Sequence, residues 1–505
     1  MKGKHFAIID IGSNTTRLVI YFRENNGNLK EVENVKSVSR LRSFLETDYT
    51  LNPSGVDRLI KTLKSFQEVM ITYELQDIIC VATATIRQAV NQAEIIDQVK
   101  KKTGLSIQIL SEQEEAYYGY LAVVNSTSIK DGITVDIGGG STEVTLFQNR
   151  ELLESHSFSF GALTLKDFFK KTIPTDKEIQ LLRQYLNKQF ATLPWLQDKE
   201  LKLIAIGGSA RNLAQIHQNL TNYPLAGLHQ YEMSSKDIIE VNSYLTSLVP
   251  EKLVKVEGLS RDRADIIIPA IEVFHCLYQV VQAESLMLSR KGLRDGVFYQ
   301  RLATEKGKLL FPKVIDTSIQ KLIDDYHMNT TQIQHVQALM KVLFDYLKGN
   351  GLMELEKADW VLLQRASCLF HLGDYIDSEA SAQHTFYLLA NRTIDGLEHK
   401  DRVKLALIAS YKNNTLFKQF IQPFKSWFLK KERHHFQHLG ALLKFVYSLD
   451  TTKRQVVKKL TCSMEKNRLN IQLKCDGDAK PEIYQSEKHK KHLEKAIKRE
   501  IILKL

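Results

Sequence analysis

Residues 134–143 read TVDIGGGSTE, and residues 8–17 read IIDIGSNTTR. The two stretches align without a gap, and each is typical of a strand that ends in an acidic residue and a glycine turn. We call residues 8–17 the first glycine loop and residues 134–143 the second glycine loop. The repeat predicts two related α/β lobes that face each other across a cleft.

The sequence around both loops alternates short β-branched runs with helical patterns. Residues 77–85 (DIICVATAT) predict a buried strand, and apolar residues spaced three and four apart after Pro53 predict a capped amphipathic helix. Residues 201–214 (LKLIAIGGSARNLA) predict another strand, glycine turn and helix. The two predicted lobes extend over residues 1–125 and 126–305.

Beyond these lobes the pattern changes to amphipathic helices, which predict an all-helical domain over residues 306–440. Two later runs, 456–463 and 468–475, predict strands, and the lysine-rich stretch 484–500 predicts a helix. We therefore expect a small basic α+β domain over residues 441–505.

The composition is that of an ordinary water-soluble protein, with 43% hydrophobic and 25% charged residues among 505. Five cysteines, an odd number without CxxC spacing, argue for a reducing compartment and against a zinc module or a disulfide framework. The most apolar segment, residues 266–281, contains Pro269, Glu272 and His275 and lacks the pattern of a membrane span. The first residues do not resemble a signal peptide. We expect a cytoplasmic protein.

The net charge of +11 is concentrated in the second part of the chain. Residues 1–300 contain 34 Lys and Arg against 35 Asp and Glu, whereas residues 301–505 contain 35 against 23. Residues 401–505 alone contain 24 against 10. Such a region predicts either an extended polyanion as a partner or a basic surface that is merely solvated. Charge alone leaves both open.

The glycine loops carry groups that can bind phosphate. Glycines after a strand expose consecutive backbone N–H groups, and the neighbouring Ser and Thr hydroxyls add uncharged donors. One such turn is also a common tight hairpin, but two in register favour a phosphate site. Asp10 and Asp136 would each repel that phosphate by about 4 kcal/mol per charge pair at ~4 Å and an effective dielectric of about 20. A bound Mg²⁺ resolves the conflict, with Asp136 as the preferred ligand and Asp10 as a second candidate.

Two further segments carry charged groups beside predicted strands. In SEQEEA, Ser111 and Glu114 match a capping box, which explains Glu114. Glu115 has only the general preference for an acid at a helix N-terminus, worth about 0.3–1 kcal/mol. Arg87, in ATATIRQAVN, suits a phosphate ligand and a surface helix arginine about equally well.

In order and spacing, the chain resembles the exopolyphosphatase / guanosine pentaphosphate phosphohydrolase (Ppx/GppA) family through DIGSNTTR, ATATIRQAVN, SEQEEA and DIGGGSTE. Further matching motifs are IGGSARNLA (206–214), GLSRDRADIIIPAI (258–271) and GLRDGVFY (292–299). The resemblance is dense over residues 1–300 and fainter up to residue 505, with the layout of four-domain bacterial exopolyphosphatases. It implies two actin-like (ribonuclease H-like, ASKHA superfold) lobes, an all-α domain similar to HD phosphohydrolases, and a small α+β domain.

The resemblance also implies roles for individual residues. Glu115 matches the general base that activates water, and Glu143 matches the second catalytic carboxylate, which acts on water or Mg²⁺. Asp136 matches the metal-associated aspartate. The residues implied to bind phosphate are Gly12, Ser13, Asn14, Thr15, Arg17, Arg87, Gly138, Gly139, Gly140, Ser141, Thr142 and Arg263.

The helical domain departs from the HD pattern. His371 is followed by Leu372 rather than Asp, and the stretch expected to supply a later histidine reads ASYKNN (409–414). His371 and His384 could still meet, but we expect no working metal centre there and assign the domain no catalysis.

The implied activity is Mg²⁺-dependent hydrolysis of the terminal phosphate of inorganic polyphosphate, with release of orthophosphate. The alternatives are hydrolysis of guanosine pentaphosphate (pppGpp), an actin-like kinase or ATPase, and a protein that binds polyphosphate or alarmone without turnover. The resemblance implies a homodimer, and we expect neither a membrane nor a nucleic acid as partner. The basic residues expected to hold a long polyphosphate chain are Lys453, Arg454, Lys458, Lys459, Lys488, Lys490, Lys491, Lys495, Lys498 and Arg499.

Overall fold

The structure, a computed structural model, describes residues 4–23, 29–306 and 309–505. The chain divides into two compact units. The first comprises the residues up to Tyr223 together with Leu228–Pro312, and the second comprises Lys313–Leu505 together with Pro224–Gly227. In the described ranges, every helix is too short or too polar to cross a membrane.

The N-terminal lobe of the first unit combines a mixed sheet with helices. Its strands are β1 (Lys4–Ile11), β2 (Thr16–Arg23), β3 (Leu29–Ser37), β4 (Leu75–Ala82) and β5 (Ile107–Ile109). Its helices are α1 (Pro53–Met70), α2 (Ala84–Gln88), α3 (Gln92–Thr103) and α4 (Glu112–Val124). The strands lie in the order β3-β2-β1-β4-β5, with β1, β2 and β3 antiparallel and β1, β4 and β5 parallel.

The second lobe of the first unit repeats this plan. Its strands are β6 (Gly132–Ile137), β7 (Thr142–Gln148), β8 (Glu151–Phe158), β9 (Leu203–Ile206), β10 (Glu232–Met233) and β11 (Leu286–Leu288). Its helices are α5 (Ala162–Leu165), α6 (Asp176–Phe190), α7 (Gly207–Leu220), α8 (Ser235–Thr246), α9 (Pro250–Leu253), α10 (Ile267–Val281) and α11 (Leu293–Lys306). The strands lie in the order β10-β11-β9-β6-β7-β8.

The two sheets share a topology, because β3-β2-β1-β4 is matched by β8-β7-β6-β9. In each, three strands form an antiparallel meander and the fourth lies parallel to the first. The α/β class and the internal repeat predicted from the glycine loops are confirmed. One strand is shorter than predicted: β4 ends at Ala82, and the apolar run continues as α2, whose residues Ala84, Thr85 and Ile86 are also buried.

An apolar cluster holds α4 between the two sheets. It joins Phe6 of β1, Leu121 and Val123 of α4, Ile206 of β9 and Phe298 of α11. Full burial of such side chains stabilises the fold by about 1.5–3 kcal/mol each. The position of the N-terminus of α4 is therefore fixed relative to both glycine loops.

The second unit is helical and ends in a small sheet. Its helices are α12 (Val314–Asp325), α13 (Thr330–Gly349), α14 (Lys357–Leu369), α15 (Ser381–Asn391), α16 (His399–Ala409), α17 (Asn414–Ile421), α18 (Lys430–Ser448) and α19 (Lys480–Ile497). Its strands are β12 (Val457–Glu465), β13 (Arg468–Cys475) and β14 (Glu500–Lys504), in the order β12-β13-β14. The strands predicted at 456–463 and 468–475 are confirmed.

Two details of the second unit differ from the prediction. The predicted boundary between residues 440 and 441 lies inside α18, where a Cβ on Gly440 would lie 2.6 Å from Cβ of Tyr411. The lysine-rich helix ends at Ile497, because Lys498 adopts a left-handed conformation with φ of 55°. The chain then forms β14, which the sequence pattern did not reveal.

Candidate active site

The two glycine loops lie at the carboxyl ends of β1 and β6 and have the same backbone conformation. Gly12 and Gly138 each donate their N–H to the carbonyl oxygen three residues later, at 3.1 and 2.9 Å. A Cβ on Gly139 would lie 2.9 Å from Cβ of Ser13, so this close approach of the loops requires a glycine. The loops therefore face each other, as the repeat predicts.

The second glycine loop places two carboxylates side by side. Asp136 and Glu143 are cross-strand partners, and Glu143 is only 3% exposed. Ser157 Oγ donates to Glu143 Oε1 at 2.9 Å. Burial raises the pKa of Asp136 to about 6, and burial followed by the charge of Glu115 raises the pKa of Glu143 well above its ordinary value. The pair therefore favours binding of a proton or a cation.

The first glycine loop compensates its carboxylate within the protein. Asp10 and Arg17 are cross-strand partners, and Asp10 Oδ2 accepts a hydrogen bond from Arg294 Nη1 at 3.0 Å. Burial raises the pKa of Asp10, while Arg294 and Arg17 oppose the rise. Asp10 is thus already paired with a guanidinium, and its role as a ligand of Mg²⁺ stays a prediction.

Glu115 lies in the first turn of α4, whose predicted capping box is confirmed. Its carboxylate accepts a hydrogen bond from Arg87 Nη1 at 2.8 Å. Burial raises the pKa of Glu115 to about 7; Arg87 opposes the rise, and Asp136 and Asp10 add to it. A carboxylate with a pKa near 7 can accept a proton at neutral pH. An ordinary acid at a helix end does not account for these contacts.

Arg87 lies on the short helix α2, directly after β4. Besides its hydrogen bond to Glu115, Arg87 Nη1 donates to the carbonyl oxygen of Leu110 at 2.9 Å. Its Nε and Nη2 are buried and have no partner within the described ranges. Because buried donors are nearly always hydrogen-bonded, these two N–H groups indicate an anionic ligand. The geometry favours a phosphate ligand over a surface arginine.

Further arginines lie near the aspartates of the loops. Arg17 and Arg263 were predicted, whereas Arg211 and Arg294 were not, although IGGSARNLA and GLRDGVFY each contain one of them. Arg211 Nε donates to the carbonyl oxygen of Gly207 at 3.0 Å. Burial, followed by the charges of the other arginines, lowers the pKa of Arg211 to about 10. Such crowding of cations is relieved when an anion binds.

The polar side chains of the loops divide into two groups. The amide nitrogen and oxygen of Asn14 are buried and have no partner among the described residues, so they can contact a ligand. Thr16, by contrast, shares a hydrogen bond of 2.9 Å with Ser39. Thr142 donates to the carbonyl oxygen of Phe160 at 2.8 Å. The phosphate contact predicted for Thr142 is therefore not supported, because its one hydroxyl hydrogen is already used.

The basic residues predicted to hold a long chain lie in the second unit and mostly on its surface. Arg454 donates to Glu482 at 3.4 Å, and Lys490 donates to the carbonyl oxygen of Ile501 at 2.7 Å. These two are therefore partly used within the protein. The remaining exposed members include Lys453, Lys458, Lys459, Lys491 and Lys495.

The predicted histidines of the helical region lie in the second unit as well. His371 Nδ1 lies 3.2 Å from Asp374 Oδ2. Within the described ranges, the group of three potential metal ligands lies elsewhere, at His217, Asp237 and Glu240 in the first unit.

Two related α/β lobes, facing glycine loops, buried carboxylates and arginines with unused donors define an enzyme class that acts on phosphate groups. The sequence model of the Ppx/GppA phosphatase family matches residues 19–305, and that of Ppx/GppA phosphatase domain III matches residues 314–489. The chain belongs to the Ppx/GppA phosphatase family. The resemblance predicted from the motifs is confirmed.

Solved structures support this placement. The chain is similar to the Ppx/GppA family member from Aquifex aeolicus, with 26% identity and a TM-score of 0.54, over 60% of this chain and 99% of that chain. It is also similar to an exopolyphosphatase from Cytophaga hutchinsonii, with 22% identity and a TM-score of 0.54, over 61% of this chain and 100% of that chain. The second likeness shows the fold alone.

Proposed function

We propose that this chain is a Mg²⁺-dependent exopolyphosphatase, which removes the terminal phosphate of inorganic polyphosphate and releases orthophosphate. The contact between Glu115 and Arg87 carries the proposal. A carboxylate with a pKa of about 7 lies beside a guanidinium with two unused donors. One group suits proton transfer from water and the other suits a phosphoryl oxygen. Membership of the Ppx/GppA phosphatase family supports a phosphate-containing substrate of this class.

In the proposed reaction the terminal phosphate lies between the two glycine loops. Their backbone N–H groups and the two unused donors of Arg87 bind its oxygens, while Arg211 and Arg263 compensate the charge of the chain. Glu115 orients a water molecule and accepts its proton as the water oxygen bonds to phosphorus. The bond from phosphorus to the shortened chain breaks, and orthophosphate leaves.

The carboxylates of the second glycine loop fit a divalent cation. Asp136 and Glu143 are cross-strand neighbours; burial raises the pKa of both, and the nearby carboxylates Asp10 and Glu115 add to the rise. Mg²⁺ prefers oxygen ligands from carboxylates and phosphates, and when bound it neutralises charge on the phosphate oxygens. Asp10 is a poorer ligand, because Arg294 already contacts its carboxylate.

The alternatives differ in substrate or in turnover. Hydrolysis of pppGpp needs the same chemistry, but the excess of 35 Lys and Arg over 23 Asp and Glu in residues 301–505 favours the longer polyanion. A kinase or ATPase needs a pocket for adenosine, and a protein that only binds would not need Glu115 and Glu143 in their positions. The homodimer expected from the resemblance stays a prediction.

Parallel assays separate these alternatives. Orthophosphate release is measured with long-chain polyphosphate, pppGpp and ATP as substrates, each with Mg²⁺ and with a chelator. We expect the highest kcat/KM with polyphosphate and loss of activity with the chelator. A higher kcat/KM with pppGpp would identify pppGpp as the preferred substrate. Binding of all three compounds without phosphate release would mean that the chain is a binding protein and not an enzyme.

Glu115→Gln tests the general base. The change keeps the shape of the side chain and its contact with Arg87 but removes the proton acceptor, so kcat should fall about 10²–10⁴-fold with little change in KM. Glu112→Gln is the matched control, because it removes one acid from the same helix turn. Turnover by Glu115→Gln at the rate of the control would refute the assignment.

Neutralising exposed lysines tests the choice of a long polyanion. Lys458→Gln, Lys459→Gln and Lys495→Gln, combined, should raise KM several-fold for long chains and leave tripolyphosphate unaffected. The salt dependence should also weaken by about 0.7–0.9 in slope for each lost phosphate contact. The control combines Lys61→Gln, Lys64→Gln and Lys188→Gln, which are equally exposed. An equal effect of both triple variants, or on both substrates, would contradict tracking by this region.

A further inference from the structure

The second unit contains a cavity of about 400 Å³ that the proposed reaction does not use. Its volume is in the range of small-molecule sites, roughly 300–1,000 Å³. Its lining includes His371, Ser410, Lys412, Lys444 and His489. The cavity thus lies where the sequence departs from the HD pattern, with His371 on one side and residues of the ASYKNN stretch on another.

The lining includes three lysines, Lys412, Lys444 and Lys453, against two carboxylates, Asp374 and Glu379. Burial, followed by the charges of Lys412 and Lys488, lowers the pKa of Lys444 to about 8. Burial, followed by Lys444 and Lys488, lowers the pKa of His489 to about 4. Within the described ranges, neither Lys412 nor Lys444 forms an ion pair with a carboxylate. An anion in the cavity would supply the missing counter-charge.

Ser410 provides a second, independent observation. It is 2% exposed, lines the cavity at the C-terminal end of α16, and its Oγ has no hydrogen-bond partner in the described part of the chain. Lys444 Nζ donates to the carbonyl oxygen of Lys412, which holds the ammonium group at the cavity wall. Because a buried hydroxyl without a partner is rare, this wall is suited to a polar ligand.

Another wall of the cavity is aromatic. The rings of Phe370 and Tyr447 stack with centroids 4.4 Å apart and planes inclined by 14°, and His371 contacts Tyr447 edge-on at 5.1 Å. These side chains offer an apolar surface to a flat group. Two carboxylates, Asp374 and Glu379, also line the cavity, but Asp374 Oδ2 lies 3.2 Å from His371 Nδ1. Lys412 and Lys444, by contrast, form no ion pair among the described residues, so these lysines favour an anion with a planar body.

We propose that this cavity binds a phosphomonoester of nucleotide size. Its phosphate contacts Ser410, Lys412 and Lys444, and its planar part lies against Phe370 and Tyr447. A nucleoside monophosphate has both parts, a dianionic phosphate and a flat base. The proposal goes beyond the hydrolytic function and does not depend on it. It assigns ligand binding, and no catalysis, to the second unit.

Calorimetric titration of the full chain tests the proposal with AMP and GMP, and with adenosine, guanosine and inorganic phosphate as comparison ligands. We expect one of the monophosphates to bind at a single site and the nucleosides to show no binding. Inorganic phosphate should bind at least tenfold more weakly than that monophosphate.

Substitutions locate the binding. Lys444→Gln and Ser410→Ala should each weaken the monophosphate about tenfold, as expected for loss of a hydrogen bond to a charged group. If either variant fails to fold, Lys412→Gln, a substitution at an exposed position, replaces it in the binding measurement. Lys458→Gln is the control, and phosphate release from polyphosphate should be unchanged in Lys444→Gln.

Three results would overturn the proposal. The first is absence of binding of both monophosphates at about 1 mM, which corresponds to about −4 kcal/mol. The second is equal binding of inorganic phosphate, which would indicate an adventitious ion only. The third is binding that Arg87→Gln abolishes and Lys444→Gln does not, which would assign it to the active site. None of these results bears on hydrolysis of polyphosphate, which the release assays test separately.

Discussion

In the first glycine loop the cross-strand partner of the aspartate is Arg17, and in the second it is Glu143. The backbones are otherwise alike, because Gly12 and Gly138 close both turns with the same hydrogen bond. The loops therefore offer N–H groups to a phosphate in the same way. The loops differ in charge at one position, because the residue paired with the aspartate is the cation Arg17 in the first loop and the acid Glu143 in the second.

In the proposed function, this difference gives the two glycine loops different roles. In the first glycine loop Asp10 pairs with Arg294. Arg17, which donates to Asn34 Oδ1 at 2.9 Å, is proposed to hold the anion with its remaining donors. Among the described residues, Asp136 and Glu143 of the second loop form no ion pair, and burial raises the pKa of both, as it raises that of Asp10. In the proposed function, the duplicated fold thus keeps one loop geometry and uses a single cross-strand residue to distinguish an anion-binding loop from a cation-binding loop.

Glu143→Gln should give the largest effect on this comparison. The amide keeps the size of the side chain and can accept the hydrogen bond from Ser157, but it no longer carries charge for a cation or water. We expect kcat to fall about 10²–10³-fold and the Mg²⁺ concentration at half-maximal activity to rise. Both are measured as phosphate release in a Mg²⁺ titration.

The control for this variant is Glu154→Gln, an exposed acid on β8. If Glu143→Gln kept the kcat and Mg²⁺ dependence of this control, the two glycine loops would be equivalent phosphate binders. The charge reversal between them would then have no catalytic meaning.

The loops could be predicted because their determinants are local. A strand, a turn and a returning strand fix the register, so that Asp136 and Glu143 become partners from ten consecutive residues. Glu115 could not be distinguished from an ordinary helix-end acid, because its pKa depends on Arg87 and on burial. Arg294 was missed since its partner, Asp10, is 284 positions away in the chain.

The second unit shows the same limit. Helical spacing predicted the helical region, and two later runs predicted β12 and β13, but the predicted boundary lies within a helix. Residues 440 and 441 lie inside α18, which packs against α19. Tertiary packing of this kind leaves no signal in local periodicity.

The pH dependence of turnover should report on Glu115, the proposed general base. As a general base, Glu115 is active when deprotonated, and its pKa is raised from 4.5 to about 7. Turnover should therefore fall as pH drops below about 7, by about tenfold per pH unit. A pH profile of kcat for the parent and for Glu115→Gln measures this limb, which should disappear in the variant.

Stability should change in the opposite direction in the metal-free protein. Because the pKa of Glu115 is higher in the folded state, folding takes up a proton between pH 4.5 and about 7. The free energy of unfolding should therefore decrease as pH rises through this window. If activity and the free energy of unfolding both fell as the pH dropped, the loss of activity would be due to unfolding rather than to protonation of Glu115.

Arg17→Gln should give the smallest of these effects and acts on the other lobe. Loss of one charged donor to the substrate should raise KM about tenfold, with kcat nearly unchanged. Burial and the charge of Arg294 lower the pKa of Arg17, so its removal should also relieve repulsion among the arginines. The melting temperature of the free protein should therefore be equal or higher, and its increase on adding phosphate should be smaller.

Arg58→Gln, on the exposed side of α1, removes the same charge from the same lobe and should leave KM unaltered. A lower melting temperature for Arg17→Gln would mean that Arg17 mainly stabilises Asp10 within the fold. A fall in kcat as large as that of Glu143→Gln would mean that both loops act on the reacting atoms. Only a change confined to KM supports a division in which the first glycine loop holds the anion and the second binds the cation.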